Sequence, residues 1–210
     1  MKRVPVSILC AFAAAAACAA EPEIPACDAN NPDFTPAETD ITPAQKRALE
    51  DFALSIFAPE LPGYGTEAHS VSRRDLLARF GRPTAAASRE RAPHDPTDPT
   101  EIVTQWEFPG LRITTIASQP RPDVFQIERG EVFDAKVALR QGLRIGQPLA
   151  LWVRKLGLPT CSNGRWAYSG EHYFACGAKK DISCVATYQV DLVLDPARKV
   201  ERIKWSHPML

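Results

Sequence analysis

Apolar positions along this chain change period repeatedly, and each change marks an element. Leu49, Phe52, Ala53, Ile56 and Phe57 recur at steps of three and four, the spacing of one helix face. Thr42 as N-cap, Pro43 as first helical residue and Gln45 three positions after the Thr start that helix with a capping box, and Pro59 stops it. A shorter helix follows: Ser72 caps it with Asp75 in the capping-box position, Leu76, Leu77 and Phe80 form its apolar face, and Gly81 and Pro83 end it. Thr84 to Thr100 is polar and carries Pro93, Pro96 and Pro99, which predicts a long loop and a place for a binding element. The period then drops to two. Glu101 to Phe108 and Leu111 to Ser118 flank Pro109-Gly110, and a two-residue loop sets Phe108 opposite Leu111 and Trp106 opposite Ile113. Asp123 to Phe133 predicts a third strand with Gly130 at a bulge or turn. Pro148 to Leu156 is helical, Asn163 to Tyr168 and Glu171 to Cys176 read as a second hairpin with Trp166 opposite Tyr173, and strands run from Cys184 to Leu194 and Val200 to Trp205.

Gln105-Trp106-Glu107-Phe108-Pro109-Gly110 returns, altered, as Arg165-Trp166-Ala167-Tyr168-Ser169-Gly170, each copy preceded by a short helix ending in Gly-X-Pro. This reads as an internal duplication. One amphipathic helix cannot cover three or four strands, so two such units would share one sheet. The predicted fold class is α+β: two tandem helix-plus-antiparallel-hairpin units with helices on one face of a shared antiparallel sheet.

The N-terminus changes the picture. Lys2 and Arg3 precede the apolar run Val4 to Ala17, the shape of a secretory signal and shorter than the ~20 residues that span a bilayer. Cys18-Ala19-Ala20 offers small residues for ordinary cleavage before Glu21. Ala15-Ala16-Ala17-Cys18 also resembles a bacterial lipobox without its usual Leu, making Cys18 a lipidation candidate. The expected organisation is a signal peptide over residues 1–20, a Pro-rich extended tether over 21–40, and α+β units over 41–142 and 143–210. Export leaves Cys27, Cys161, Cys176 and Cys184, an even number that favours two disulfides. Three connectivities are open; Cys176 with Cys184 across a hairpin loop, and Cys27 with Cys161, is the preferred pairing. No Cys-X-X-Cys pair and no His at ligand spacing suggests zinc.

Composition narrows the functional classes. Among 210 residues, Lys+Arg and Asp+Glu both number 25, so the formal charge is zero and no global field draws nucleic acid or an anionic membrane. Nineteen prolines and eleven glycines lie between periodic segments of a chain that is 45% hydrophobic, which indicates stiff loops within a folded body. No nucleophile elbow, phosphate loop or metal motif is present, so no cofactor and no catalytic residue are expected. Trp106 and Trp166 are expected in the core. Tyr168, Tyr173 and Trp205, with His94 and Asp95 in the long loop, are candidate partner contacts. Arg73, Arg74, Arg79, Arg82, Arg89 and Arg91 form a basic stretch that is either a solvated face or a surface for an acidic partner.

The helix ending in Phe80-Gly81-Arg82-Pro83, the Trp-X-aromatic hairpin, and the last strand Val200-Glu201-Arg202-Ile203-Lys204-Trp205 after an Asp-X-X-Arg turn together resemble the SmpA/OmlA-type lipoproteins of the outer-membrane barrel-assembly machinery. Leu143-Arg144-Ile145-Gly146-Gln147-Pro148 matches the lead into the helix of that pattern. The tandem arrangement is similar to secreted β-lactamase inhibitor proteins. The resemblance spans about Ser72 to Trp205 and rests on residues that determine fold. It implies an exported binding protein whose sheet face or loops meet another protein. The inhibitors carry a disulfide in each unit, whereas the first unit here, residues 41–142, contains no cysteine, and no inhibitory loop matches residue by residue, so no functional residue is carried over.

The function expected is that of a non-enzymatic exported module, periplasmic or an outer-membrane lipoprotein, that binds an envelope component or a hydrolase or toxin it inhibits. It would touch the membrane only through an N-terminal lipid. The competing expectation is an envelope hydrolase with a site between the units that uses His172 with Glu171 or His94 with Asp95.

Overall fold

The computed structural model describes residues 22–28, 33–57, 70–92, 99–118, 123–176 and 182–206, with backbone alone for Leu54, Ser70, Ser118, 172–176, 182–184 and Ala186. Among the described residues the chain forms nine strands, most of them on alternating apolar and polar residues: β1 (Ser70–Ser72), β2 (Ala85–Arg91), β3 (Glu101–Phe108), β4 (Leu111–Ser118), β5 (Val124–Val132), β6 (Thr160–Ser162), β7 (Arg165–Cys176), β8 (Ile182–Leu194) and β9 (Val200–Ser206). They form one antiparallel sheet in the order β2-β3-β4-β5-β9-β8-β7-β6, with β1 on the N-terminal half of β5. The class is therefore α+β with a large antiparallel sheet and, among the described residues, three α-helices: α1 (Pro43–Leu54), α2 (Arg73–Phe80) and α3 (Leu149–Leu156).

One sheet face is apolar because period two puts Trp106, Phe108, Leu111, Ile113, Trp166, Tyr168, Val190, Leu192, Ile203 and Trp205 on it, all buried. The helices close that face. Phe52 of α1 meets Trp152 of α3 edge-on at 5.7 Å between ring centres, and Phe57 meets Trp205 at 5.3 Å and Phe80 at 4.9 Å. Thr42 and Gln45 close the capping box, and the Gln45 amide also donates to the carbonyls of Val153 and Arg154, tying α1 to α3. Ser72 Oγ accepts from the Asp75 N–H as the α2 cap. α1 ends at Leu54, earlier than Pro59 suggests, because Phe57 leaves the helix to form a bridge with Leu139 while the Ile56 carbonyl accepts from Arg140 N–H.

The first hairpin pairs Phe108 with Leu111 and Trp106 with Ile113. Pro109 breaks the ladder, and Gly110 takes the positive φ of 78° that the turn requires. The second hairpin departs from expectation. Ser169 and Gly170 lie inside β7, which runs unbroken from Arg165 to Cys176; Trp166 pairs with Leu192 and Tyr173 with Val185. Ser169 keeps the N–H that proline lacks, Gly170 is not at positive φ, and the Tyr188 ring covers the space its missing side chain leaves. Gly130 is likewise neither turn nor bulge. It lies within β5 opposite Trp205, whose ring occupies the position of a Cβ, and the bulge falls at Glu128, left unpaired between Ile127 and Arg129.

Two loops proved to be ordered structure. Ala85–Arg91, expected in the loop 84–100, pairs in full register with β3 as an edge strand; residues 93–98 lie outside the described residues. The expected extended tether is pinned to the opposite edge: Phe34 and Cys161 exchange backbone hydrogen bonds, Asp33 accepts from Ser162 Oγ and Asn163 N–H, and Cys27 is disulfide-bonded to Cys161. Those two donors hold the Asp33 carboxyl below its ordinary value. The N-terminal segment thereby covers β6.

Candidate functional site

Strand residues that do not face the helices project from the other side of the sheet. On β3 these are Val103, Gln105 and Glu107; on β4, Arg112, Thr114 and Ile116; on β5, Arg129 and Glu131; on β8 and β9, Asp191, Arg202 and Lys204. Cross-strand neighbours of opposite charge stand side by side and interact. Arg112 donates to Glu107 at 3.4 Å and to Glu131 at 2.9 Å, and Arg202 donates to the other Glu131 oxygen at 3.0 Å. The result is a ladder, Glu107–Arg112–Glu131–Arg202, that crosses four strands including the β5·β9 junction.

A second cluster ties β2 to β5. Arg91 of β2 contacts Glu101 at 2.7 Å and Glu128 of β5 at 3.0 Å. β2 and β5 are three strand spacings apart, roughly 14 Å, so this contact runs over β3 and β4 on the open side with both side chains extended. The bulge at Glu128 adds local twist. Val103 and Ile116 are buried on this side, at 5% and 3% exposure, which the long stems of the arginines that share it explain.

The open face holds a depression of about 340 Å³ over the β5·β9 junction, bordered by Gln105, Arg112, Thr114, Arg129, Asp191 and Lys204. A smaller one of about 170 Å³ continues it toward Arg89 and shares Gln105, Thr114 and Arg129 with it. Among the described residues, Arg89 and Lys204 make no ion pair, and Arg129 has only its sequence neighbour Glu128 at 3.8 Å. The surface thus offers projecting cations around an internally neutralised ladder, with amide and hydroxyl groups between them. That arrangement can hydrogen-bond and pair with a second surface.

The residues singled out from sequence fall elsewhere. Tyr168 and Trp205 are core side chains, 2% exposed each, which removes them from any contact surface. The Tyr168 hydroxyl donates to the Gly157 carbonyl at 3.0 Å, and burial pushes its phenol far above the ordinary tyrosine value. Tyr173 and His172 are described as backbone in β7, opposite Val185 and Ala186, and the exposed Glu171 lies opposite Thr187. Cys176 pairs with Ile182 and Cys184 with Phe174; their side chains lie outside the described residues, as do Cys18, His94 and Asp95. Trp106 and Trp166 are buried, and the Trp106 indole N–H donates to Thr115 Oγ1 at 2.8 Å. Arg112, Arg129, Glu131 and Lys204 were not singled out from sequence. Their signal in the sequence is the polar half of the strand alternation, opposite the apolar half that marks the core.

Among the described residues, no group of three His, Cys, Asp or Glu side chains is arranged to hold a metal ion, and no helix is long and apolar enough to cross a membrane. The fold and face define a one-sided antiparallel sheet protein with a charged open face. The chain matches no protein-family model, no curated protein and no solved structure.

Proposed function

We propose that this is an exported, non-enzymatic protein whose open sheet face binds another protein. The observation that carries the reading is the helix-free face, on which a neutralised ion-pair ladder is ringed by Arg89, Arg129 and Lys204. Charge placed this way favours orientation and selectivity in protein association more than bulk affinity. The N-terminal pattern supports secretion to the periplasm, or attachment by a lipid on Cys18, and the Cys27–Cys161 disulfide accords with an oxidising compartment. An envelope-assembly component, or a hydrolase or toxin held inactive, is the class of partner.

We read the sheet as two α+β units, consistent with the resemblance to the SmpA/OmlA-type lipoproteins and the tandem inhibitors. Support comes from strand order: β2 to β5 run in chain order, β6 to β9 run in reverse, and the last strands of the two sets meet. α1 departs from a simple division at residue 142, since it packs on α3.

In-cell cross-linking followed by mass spectrometry tests the binding role, comparing the native chain with Arg129→Glu/Lys204→Glu and with Arg154→Glu on the exposed side of α3. A specific cross-linked protein present in the native chain and Arg154→Glu, and depleted about tenfold or more in the open-face variant, is the expected result. Equal cross-linking in all three, or none in any, overturns the assignment. Intact mass of the envelope-purified protein tests the lipid: acyl chains on Cys18 establish tethering, and a mass beginning at Ala19 or beyond removes it.

A further inference from the structure

The two ends of the sheet are finished differently. At β6 the chain covers its own edge, with Phe34 and Cys161 exchanging backbone hydrogen bonds and the disulfide beside them. At β2 no described segment does the same: Ala85 to Glu90 are exposed, Arg91 is partly so, and the strand pairs with β3 over its full length. Antiparallel pairing uses only alternate backbone groups of a strand, so β2 presents a row of N–H and C=O groups outward. Natural edges are commonly blocked by proline, by charged side chains, lysine above all, or by a bulge. β2 has no proline, lysine or bulge, and its charges, Arg89, Glu90 and Arg91, gather in one half of the strand.

Its sequence is also complementary to itself. In Ala85-Ala86-Ala87-Ser88-Arg89-Glu90-Arg91, three small residues precede Ser88 and three long charged ones follow. Antiparallel pairing of two copies about a two-fold axis at Ser88 places Arg91 opposite Ala85, Glu90 opposite Ala86 and Arg89 opposite Ala87. Each long side chain meets a small one, and no like charges stand directly opposite. The outward backbone groups are satisfied whichever alternate set faces out, because 86 and 90, and equally 87 and 89, exchange under the axis. Arg91 is held by Glu101 and Glu128, which keeps the end of the strand in place.

We propose that β2 is a homodimerisation edge: two copies of this chain pair through Ala85–Arg91, antiparallel and centred on Ser88, to form one continuous sheet with both open faces on the same side. The proposal is independent of the partner assigned to the open face.

Sedimentation velocity of the purified full chain across micromolar to millimolar concentration, with residue 87 varied, is the test. Residue 87 is exposed, and across the axis it faces Arg89. Ala87→Lys therefore sets like charges opposite each other twice and is expected to weaken the dimer about tenfold, whereas Ala87→Glu creates two opposite-charge pairs and strengthens it by a similar factor. Ala87→Lys/Arg89→Glu restores pairing. A chain that stays monomeric throughout overturns the proposal. So does a dimer whose affinity is the same in Ala87→Lys and Ala87→Glu, since it would form elsewhere.

Discussion

Gly130 and Gly170 show how much one missing side chain can decide. Both sit in strand interiors, where glycine ordinarily weakens a sheet, and in each case an aromatic ring from the neighbouring strand, Trp205 or Tyr188, fills the vacated space. Gly130→Ala would drive a methyl into the Trp205 ring, which is itself packed against Phe57, so a loss of about 1–3 kcal/mol is expected in urea unfolding. An unchanged midpoint would mean that the ring can move at little cost. Tyr168 supplies a pH-dependent term. Burial raises its phenol above the ordinary 10.0, so on titration the unfolded chain ionises first. The stability it contributes is present below about pH 10 and declines as pH rises beyond that. Tyr168→Phe should cost about 1 kcal/mol near neutrality through the lost hydrogen bond to Gly157, and urea midpoints measured from about pH 8 to 11 should fall less steeply for it than for the native chain. Equal slopes would assign the alkaline loss to other groups, Tyr188 among them. Trp106 opposite Ile113 was legible from sequence because Pro109-Gly110 fixes a register. Tyr168 and Trp205 were not, since tyrosine and tryptophan have an apolar body and a polar tip and suit core and interface alike.

Between elements, legibility followed the strength of the local signal. The capped helices α1 and α2 could be placed from Thr42, Pro43 and Ser72, and β8 from its alternation. β2 could not: a strand exposed on nearly every residue has no buried face to impose a period, and prolines just beyond it suggested a loop. Ser169-Gly170 misled for the converse reason, because a turn-like dipeptide was weighed without the cross-strand partner that keeps it extended. The pinning of Cys27, Asp33 and Phe34 was only half visible. Cys27–Cys161 belonged to the preferred of three connectivities, but the backbone exchange between Phe34 and Cys161 has no sequence signature. Reduction of this disulfide, which joins positions 134 residues apart, should lower stability by about 2–4 kcal/mol. Thermal unfolding of Cys27→Ser, compared with the native chain with and without reductant, reads that loss. If Cys27→Ser unfolds at the native temperature, the hydrogen bonds alone secure the segment.

Across the molecule, the covered end and the free end of the sheet set a direction. Covering β6 brings Cys27 to one extremity, and the free strand β2 lies seven strand spacings away, roughly 34 Å along the sheet. Cys27 lies only nine positions after Cys18, a reach of roughly 30 Å at full extension. A lipid at Cys18 would therefore moor the body on a short line by its β6 end, unlike the long leash that a free 20-residue spacer would give. β2 would ride at the end of the body farthest from the mooring, where a second moored copy could come alongside edge to edge.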